Sequence, residues 1–124
     1  MTPLRILIAD DHAVVRAGLR ALLEQQPDFD VVAEAESGAE AVRQAATHQP
    51  DIVVMDIRMP GGLSGIEACE QITDVVPQTK VIMLTAYSTE EVEKEADKHG
   101  ISAFIRKPVS LPVLRQAVQE SLGR

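Results

Sequence analysis

The strongest structural signal in the chain is DIVVMDIRMPGG, residues 51–62. Five of the six residues from Ile52 to Ile57 are apolar, which is typical of a strand buried on both faces of a parallel sheet. Asp56 interrupts this run close to its end. A buried carboxylate costs free energy unless a charged or hydrogen-bonding group faces it, so this aspartate predicts a partner nearby.

Strand-like and helix-like segments alternate five times along the 124 residues. The predicted strands are residues 4–9, 29–35, 52–56, 80–85 and 102–107. The predicted helices are residues 13–25, 38–48, 66–75, 90–100 and 111–122, with capping-box patterns at Ser37–Glu40 and Ser88–Glu91 and a third N-cap at Ser110. Aliphatic strands that alternate with helices predict an α/β, doubly wound domain with a parallel sheet covered on both faces.

The composition excludes several functions. With 19 acidic and 12 basic residues the net charge is −7, and such a surface repels phosphate backbones and anionic lipids. The chain holds only three aromatic residues, too few for a platform that stacks nucleic-acid bases. The single cysteine excludes an internal disulfide, and no apolar run approaches the roughly 20 residues of a membrane span. We therefore expect a cytoplasmic chain that binds neither nucleic acid nor membrane directly.

Polar side chains mark the carboxyl ends of four predicted strands. They are Asp10 and Asp11 after the first strand, Asp56 in the third, Thr85 in the fourth and Lys107 in the fifth. Ligands of doubly wound sheets bind outside the carboxyl ends of the strands. If these strands are neighbours, the five residues form one site.

The chemistry of this set favours a metal and a phosphoryl group. Two carboxylates ~4 Å apart repel by about 4 kcal/mol at an effective dielectric constant of about 20, so the acids need a divalent cation, or one must stay protonated. Oxygen ligands with open coordination positions favour Mg²⁺, with Mn²⁺ as the alternative ion. A lysine and a hydroxyl bind further phosphoryl oxygens, and an aspartate can itself be the nucleophile.

Each residue also has a simpler interpretation when it is taken alone. Asp10 and Asp11 are suitable N-caps for the first helix. Asp56 and Lys107 are acceptable as ordinary strand-end residues, and Thr85 is a common strand residue. The coincidence of all five at one predicted edge favours the functional interpretation.

Two other features are assigned no function. His12, His48 and His99 show no metal-ligand spacing and are expected to be solvated. The segment EEVEKEADK, residues 90–98, indicates a solvated helix face with little to bury.

Four motifs, in order, resemble the receiver domain of bacterial two-component response regulators over residues 4–122. They are ILIADDH (6–12), VVMDIRMPGG (53–62), VIMLTAY (81–87) and AFIRKP (103–108). The opening RILIADDHAVVRAGLRALLEQQPDFDVVAEAESGAEAV (5–42) is most similar to receivers of LuxR/NarL/FixJ-type transcriptional regulators. The resemblance implies a (βα)5 flavodoxin-like three-layer sandwich with strand order 2-1-3-4-5.

By this resemblance, Asp56 would accept a phosphoryl group from a phosphohistidine on a sensor histidine kinase. Asp10, Asp11, Asp56 and the backbone carbonyl of Arg58 would hold Mg²⁺, with Asp11 the more direct ligand. The lysine of the set, Lys107, would pair with the phosphoryl oxygens.

The resemblance also implies the parts that read the phosphoryl group. Lys107–Pro108 would be a cis peptide bond, Thr85 would hydrogen-bond the phosphoryl group, and Phe104 would swing inward. The surface around the fourth helix, fifth strand and fifth helix would then change. We expect a phosphoacceptor switch with only intrinsic autophosphorylation and autodephosphorylation, and a homodimer when phosphorylated.

Arg58 and Tyr87 each lie two residues beyond a predicted site residue. Both are expected to overhang the site and to tune the lifetime of the acyl phosphate. The loop MPGGLSGIE, residues 59–67, is one residue longer than the usual family spacing, which leaves its conformation open. We expect one receiver domain over residues 1–124 with no output domain in this chain, either as a single-domain regulator or as an excised receiver.

Three rival functions were weighed against the switch. An aspartate-nucleophile phosphatase would carry a second aspartate two residues after the nucleophile, where this chain has Arg58. An inert interaction module would lack at least one residue of the set. A dinucleotide-binding domain would show G-x-G-x-x-G after the first strand, where this chain has Asp-Asp-His.

Overall fold

The computed structural model describes residues 2–59, 61–86, 94 and 100–122. These residues form a sheet of five parallel strands in the order β2-β1-β3-β4-β5. The strands are β1 (Leu4–Ala9), β2 (Phe29–Ala35), β3 (Ile52–Asp56), β4 (Lys80–Thr85) and β5 (Ala103–Arg106). The predicted doubly wound, flavodoxin-like α/β fold and its strand order are confirmed, and β5 is one residue shorter at each end than predicted.

The described helices are α1 (Ala13–Glu24), α2 (Gly38–His48), α3 (Gly65–Val75) and α4 (Leu111–Ser121). Their bounds agree with the predicted segments to within one residue at every end. The helix predicted for residues 90–100 and its Ser88–Glu91 cap fall almost wholly outside the described residues.

The predicted helix caps are only partly present. Ser37 Oγ accepts a hydrogen bond from Glu40 N at 3.1 Å, as the capping-box pattern requires. The Glu40 carboxylate instead accepts from Glu36 N at 2.8 Å, so the box is half formed. Ser110 occupies the N-cap of α4, but its side chain makes no capping hydrogen bond within the described residues.

Alternation along the strands divides the core into two layers. Ile6 and Ile8 of β1 pack with α1 and α4, whereas Leu7 and Ala9 pack with α2 and α3. Strand β3 alternates in the same way and is buried at every position, which explains its unbroken apolar run. Ile52 and Val54 of β3 belong to the layer of α1 and α4. Asp56, two residues after Val54, therefore lies on the same side of the sheet.

Candidate functional site

Pairing in the sheet brings together the acids that follow or end two neighbouring strands. Ala9 of β1 pairs with Met55 of β3, so Asp10 and Asp56 are the next residues of adjacent parallel strands. Asp10 continues the alternation of Ile6 and Ile8, and both aspartates therefore point to the side of α1 and α4. The order in which the strands pair, rather than their order in the chain, creates this contact.

An ion pair lies at the centre of the site. Lys107 Nζ is 2.9 Å from Asp56 Oδ2 and 3.6 Å from Asp10 Oδ2. The Asp10 side chain is 0% exposed and that of Asp56 is 9% exposed. The lysine is the charged partner that the buried carboxylate in β3 requires.

The charge of these carboxylates changes the acid–base behaviour of the lysine. Burial by itself lowers the pKa of Lys107, but the hydrogen bond and negative charge of Asp56, together with the negative charge of Asp10, outweigh burial and raise it above its ordinary value. Lys107 is therefore an ammonium ion at neutral pH and a fixed positive charge at the strand ends.

The loop after β3 is built around Asp56. Arg58 N donates to Asp56 Oδ1 at 3.1 Å, and Gly65 N donates to Ile57 O at 2.9 Å. A Cβ atom on Gly65 would lie 2.5 Å from Asp56 O and 2.8 Å from Ile57 Cα, so only glycine fits where α3 meets the end of β3. The loop thus holds the carboxylate and the start of α3 at a fixed distance.

The longer glycine-rich loop ends in a helix cap that was not predicted. Ser64 Oγ accepts from Glu67 N at 3.2 Å, and Glu67 Oε1 accepts from Ser64 N at 3.0 Å, which completes a capping box for α3. Gly61 and Gly62 have φ values of 94° and 84°, which glycine adopts readily. The pattern S-x-x-E at residues 64–67 was the available sequence signal.

The other predicted residues that the structure describes lie at or near the same edge. Thr85 is 4% exposed, and its carbonyl accepts from Lys107 N at 2.7 Å. The Lys107–Pro108 bond is cis, as the resemblance implied. Phe104 is partly buried against the core layer of α2 and α3. Tyr87 lies outside the described residues.

A cleft of about 310 Å³ lies at this edge of the sheet. Its lining contains the predicted phosphoacceptor, the lysine and the threonine, and also His12. The volume and the charged groups suit a small oxyanion and a cation. The Asp56 carboxylate and the Lys107 ammonium group line the cleft together with the side-chain oxygens of Asp11 and Thr85, a combination that suits phosphoryl transfer.

The donor set fits Mg²⁺. Asp10 Oδ2 and Asp11 Oδ1 are buried atoms with no hydrogen-bond partner among the described residues. Buried carboxylate oxygens without a partner are costly, and a hard divalent cation satisfies them. One ligand atom each from Asp10, Asp11, His12 and Asp56 lies within 4.8 Å of the others. The three aspartates are the residues that would hold the ion.

His12 agrees with one interpretation drawn from the sequence and corrects another. Its side chain is 66% exposed, as a solvated histidine would be, yet Nδ1 lies 3.1 Å from both Asp10 Oδ1 and Asp11 Oδ1. His12 is also the N-cap residue of α1, so neither aspartate caps that helix. Asp10 Oδ1 instead accepts from His12 N at 2.8 Å. The Asp-Asp-His sequence was the only signal for this contact.

Arg16 was also missed. Its Nη1 donates to the carbonyl of Asp10 at 2.7 Å, and its Nε donates to Glu34 of β2 at 3.1 Å. Arg20, one turn further along α1, pairs with the same glutamate. The hydrogen bonds from both arginines, which outweigh the opposing effect of burial, lower the pKa of Glu34 below its ordinary value. Helix α1 is thereby tied to the residue that begins the acidic site.

The comparisons with known proteins agree with this geometry. The family model of the response regulator receiver domain matches residues 6–119. Oxygen regulatory protein NreC from Staphylococcus haemolyticus (strain JCSC1435) is 42% identical over 104 residues, which are 84% of this chain and 48% of that protein. The chain therefore spans about half the length of the curated relatives it matches.

Solved structures agree over a larger share of the chain. The signal receiver domain of the putative response regulator NarL from Mycobacterium tuberculosis is 26% identical with a TM-score of 0.92, and 100% of each chain is covered. A chain of the CheX–CheY–BeF3–Mg²⁺ complex from Borrelia burgdorferi is 29% identical with a TM-score of 0.90, covering 99% of this chain and 92% of that one. Within the described ranges, every helix is too short or too polar to traverse a lipid bilayer.

Proposed function

Because this chain belongs to the response regulator receiver domain family, a family of signalling switches, we propose that Asp56 is its phosphoacceptor and that Mg²⁺ assists the transfer. The donor is a phosphohistidine on a sensor histidine kinase. Residues 1–124 make up one receiver domain in this proposal.

One observation carries the proposal. The only buried acid of β3 faces an ammonium group 2.9 Å away, next to a second, fully buried carboxylate. A structural ion pair would not need Asp11 as a third acid, because each added carboxylate increases the repulsion between negative charges. A site that takes up a cation and a phosphoryl group needs this excess of acid and one fixed positive charge.

The transfer breaks the P–N bond of the phosphohistidine and forms a P–O bond to the Asp56 carboxylate. The imidazole nitrogen keeps the electron pair of the broken bond. Arg58 N, which donates to Asp56 Oδ1, orients the carboxylate before attack. The ammonium group of Lys107, which donates to Asp56 Oδ2, then pairs with the incoming phosphoryl oxygens.

Mg²⁺, held by Asp10, Asp11, Asp56 and the Arg58 carbonyl, would supply the positive charge that offsets the phosphoryl oxygens during transfer. Asp11 is the more direct ligand in this proposal because its side chain is 28% exposed and can meet a hydrated ion. Mn²⁺ is the alternative ion, since it accepts the same oxygen ligands. The buried Asp10 carboxylate would contribute a further negative charge to the metal site.

Phosphorylation then shifts a conformational equilibrium. Thr85 lines the cleft and hydrogen-bonds the phosphoryl group in one state, and Phe104, one strand further, turns inward with it. The phosphoryl group must interact better with that state than with the other, since otherwise the populations stay unchanged. The change spreads over β5, α4 and the segment between β4 and β5, the surface that controls the output.

The wider setting is also proposed. The chain receives its phosphoryl group in the cytoplasm, forms a homodimer when phosphorylated, and contacts neither nucleic acid nor membrane directly. The length of the curated relatives favours a longer parent protein in which a LuxR-type DNA-binding domain carries out transcription control. Autophosphorylation from small phosphodonors and autodephosphorylation are intrinsic, so the domain is a switch and not a dedicated enzyme.

The test is the intact mass of the protein after incubation with acetyl phosphate, with and without Mg²⁺. We expect one phosphoryl increment that requires the metal and disappears in Asp56→Asn. Asp74→Asn is the matched control, because Asp74 is exposed at the end of α3. An increment that persists in Asp56→Asn would move the acceptor elsewhere, and no increment with no Mg²⁺ binding would indicate an unphosphorylated interaction module.

A further inference from the structure

Arg16 has no part in the proposed phosphoryl transfer, yet its guanidinium group contacts the turn that carries the first two acids. Its Nη1 donates to the backbone carbonyl of Asp10 at 2.7 Å, and its side chain is only 14% exposed. That carbonyl belongs to the peptide unit that links Asp10 to Asp11, and a peptide unit is planar. Holding the carbonyl therefore fixes the orientation of the peptide plane from which Asp11 begins.

Other hydrogen bonds hold the preceding part of this turn. Asp10 N donates to Ala35 O of β2 at 3.0 Å, and Asp10 Oδ1 accepts from His12 N at 2.8 Å. These bonds fix the backbone and the side chain of Asp10. The bond from Arg16 acts one peptide unit further along, at the entry to Asp11.

Glu34 of β2 fixes the direction of the guanidinium group. Glu34 Oε1 accepts from Arg16 Nε at 3.1 Å, while Nη1 of the same planar group donates to Asp10. The N–H donors of a guanidinium group have fixed relative directions, so a bond at Nε sets the direction of Nη1. A rigid group thus ties the acidic turn after β1 to β2, a strand that carries none of the proposed metal ligands.

The charges around Arg16 balance one another. Arg16 and Arg20 both pair with Glu34, and Arg20 also pairs with Glu24 at 3.0 Å. Two positive and two negative groups give this network no net charge. An unbalanced arginine beside the acids would repel a divalent cation, so the network supplies a hydrogen-bond donor with little repulsion.

We propose that Arg16 is a positioning residue for Mg²⁺ binding: it acts through the Asp10–Asp11 peptide unit and holds Asp11 where its carboxylate can meet the ion. The inference rests on the proposed role of the two aspartates as metal ligands. Asp11 lies between the end of β1 and the start of α1, so neither element's backbone ladder fixes it. Loss of the Arg16 bond would let its carboxylate take other positions, and binding would then carry the cost of ordering it.

The charge of Arg16 and its positioning role predict opposite effects on Mg²⁺ affinity. If Arg16 acted only through its charge, its removal would make the potential at the acids more negative and raise Mg²⁺ affinity. If it only anchored α1 to β2, its removal would resemble the removal of Arg20, which pairs with the same glutamate. A fall in Mg²⁺ affinity confined to the Arg16 variant is expected only from positioning.

The test measures Mg²⁺ affinity by calorimetry in the wild type, Arg16→Met and Arg20→Met, with urea unfolding of each as a check of the fold. Methionine keeps an unbranched side chain and removes the charge. We expect the Mg²⁺ dissociation constant to rise about 10-fold in Arg16→Met and to change less than about 2-fold in Arg20→Met. Labelling by acetyl phosphate should slow in Arg16→Met at low Mg²⁺ and recover at saturating Mg²⁺, because Asp56 and Lys107 are intact.

An unchanged or higher Mg²⁺ affinity in Arg16→Met would overturn the proposal, and so would an equal fall in Arg20→Met. If Arg16→Met folds poorly, nuclear magnetic resonance of the wild type provides the measurement. The Nε–H resonance of Arg16 should shift with Mg²⁺ concentration in step with the amide of Asp11, and that of Arg20 should stay in place. An Arg16 resonance that does not respond to Mg²⁺ would also overturn the proposal.

The same samples separate this proposal from the proposed function. If the wild type binds Mg²⁺ but is not labelled, and the affinity falls only in Arg16→Met, the positioning role stands and the phosphoacceptor role fails. If the wild type is labelled at Asp56 and the Mg²⁺ affinity is unchanged in Arg16→Met, the reverse holds. A wild type that binds no Mg²⁺ would overturn the positioning role and the metal-assisted transfer together.

Discussion

Replacing Lys107 by methionine should expose the repulsion that the lysine now balances. The Nζ atom lies 2.9 Å from Asp56 Oδ2 and 3.6 Å from Asp10 Oδ2. At an effective dielectric constant of about 20, unit charges at these distances attract by about 6 and about 5 kcal/mol. Lost hydration of all three groups offsets most of this gross attraction, and the lysine side chain remains 28% exposed. We expect a net coupling of about 1–3 kcal/mol between Lys107 and Asp56.

The assay is a double-mutant cycle measured by urea unfolding in a metal-chelating buffer. It uses the wild type, Lys107→Met, Asp56→Asn and the double variant. The double variant should be less destabilised than the sum of the single variants, because it no longer contains an unpaired Asp56 carboxylate. Lys80→Met with Asp56→Asn is the control cycle, since Lys80 pairs with Ile52, four residues or about 13 Å along β3 from Asp56.

Additivity within about 0.5 kcal/mol in the Lys107 cycle would refute the reasoning. That result would mean that solvent screens the pair fully, and the balance of charge at the strand ends would then need another source. Equal coupling in the Lys80 cycle would also refute it, because the effect would then follow from net charge and not from the contact.

Three other predictions concern glycine packing, phosphoryl lifetime and acid stability. Gly65→Ala should destabilise the fold by about 1–3 kcal/mol in urea unfolding, because its Cβ would lie 2.5 Å from the backbone oxygen of Asp56. Gly18→Ala should stabilise α1 by up to about 1 kcal/mol, because among the described residues its Cβ would meet nothing within 4 Å beyond its chain neighbours and the backbone of its own helix; equal effects of the two substitutions would contradict this. Arg58→Ala and Tyr87→Ala should each change the autodephosphorylation rate several-fold without abolishing labelling, as followed by intact mass over time, and unchanged lifetimes in both would remove their proposed role. The pKa of Glu34 is lowered in the folded chain, so its stabilising effect is present above the ordinary value of 4.5 and is lost as pH falls through the lowered one; the stability difference between wild type and Glu34→Gln should shrink from pH 7 toward pH 3, and a constant difference would contradict the assignment.

Much of the fold was predictable because local patterns agree with the tertiary structure. Runs such as KVIMLT and FDVVAEA have the length and the aliphatic content of strands, and both form strands with the predicted bounds. The differences lie at the ends of elements: β5 is one residue shorter at each end than predicted, and at a helix cap one hydrogen bond decides the outcome. The Glu40 carboxylate accepts a hydrogen bond from Glu36 N and not from the backbone N–H of Ser37, as a capping box would require. No sequence pattern distinguishes these two donors.

The site was predictable as a set of residues, but its internal contacts were not. The rule that ligands bind at the carboxyl ends of parallel strands identified the aspartates, the threonine and the lysine. The positions of His12 and Arg16 depend on how α1 begins and on how it crosses β2, which are distances between elements far apart in the chain. A single histidine or arginine in a sequence gives no information about such distances.

The sequence by itself determined the alternation of strands and helices and the side of each strand on which a residue lies, because backbone geometry has a period of two in a strand and 3.6 in a helix. It also determined the excess of acid at the strand ends. Only the tertiary structure decided which ends meet: β3 lies between β1 and β4, and Lys107 reaches across to Asp56, a contact 51 residues apart in the chain. The physical reason is that sheet order and charge balance are settled by packing and electrostatics across the whole domain, whereas propensity acts only over a few neighbouring residues.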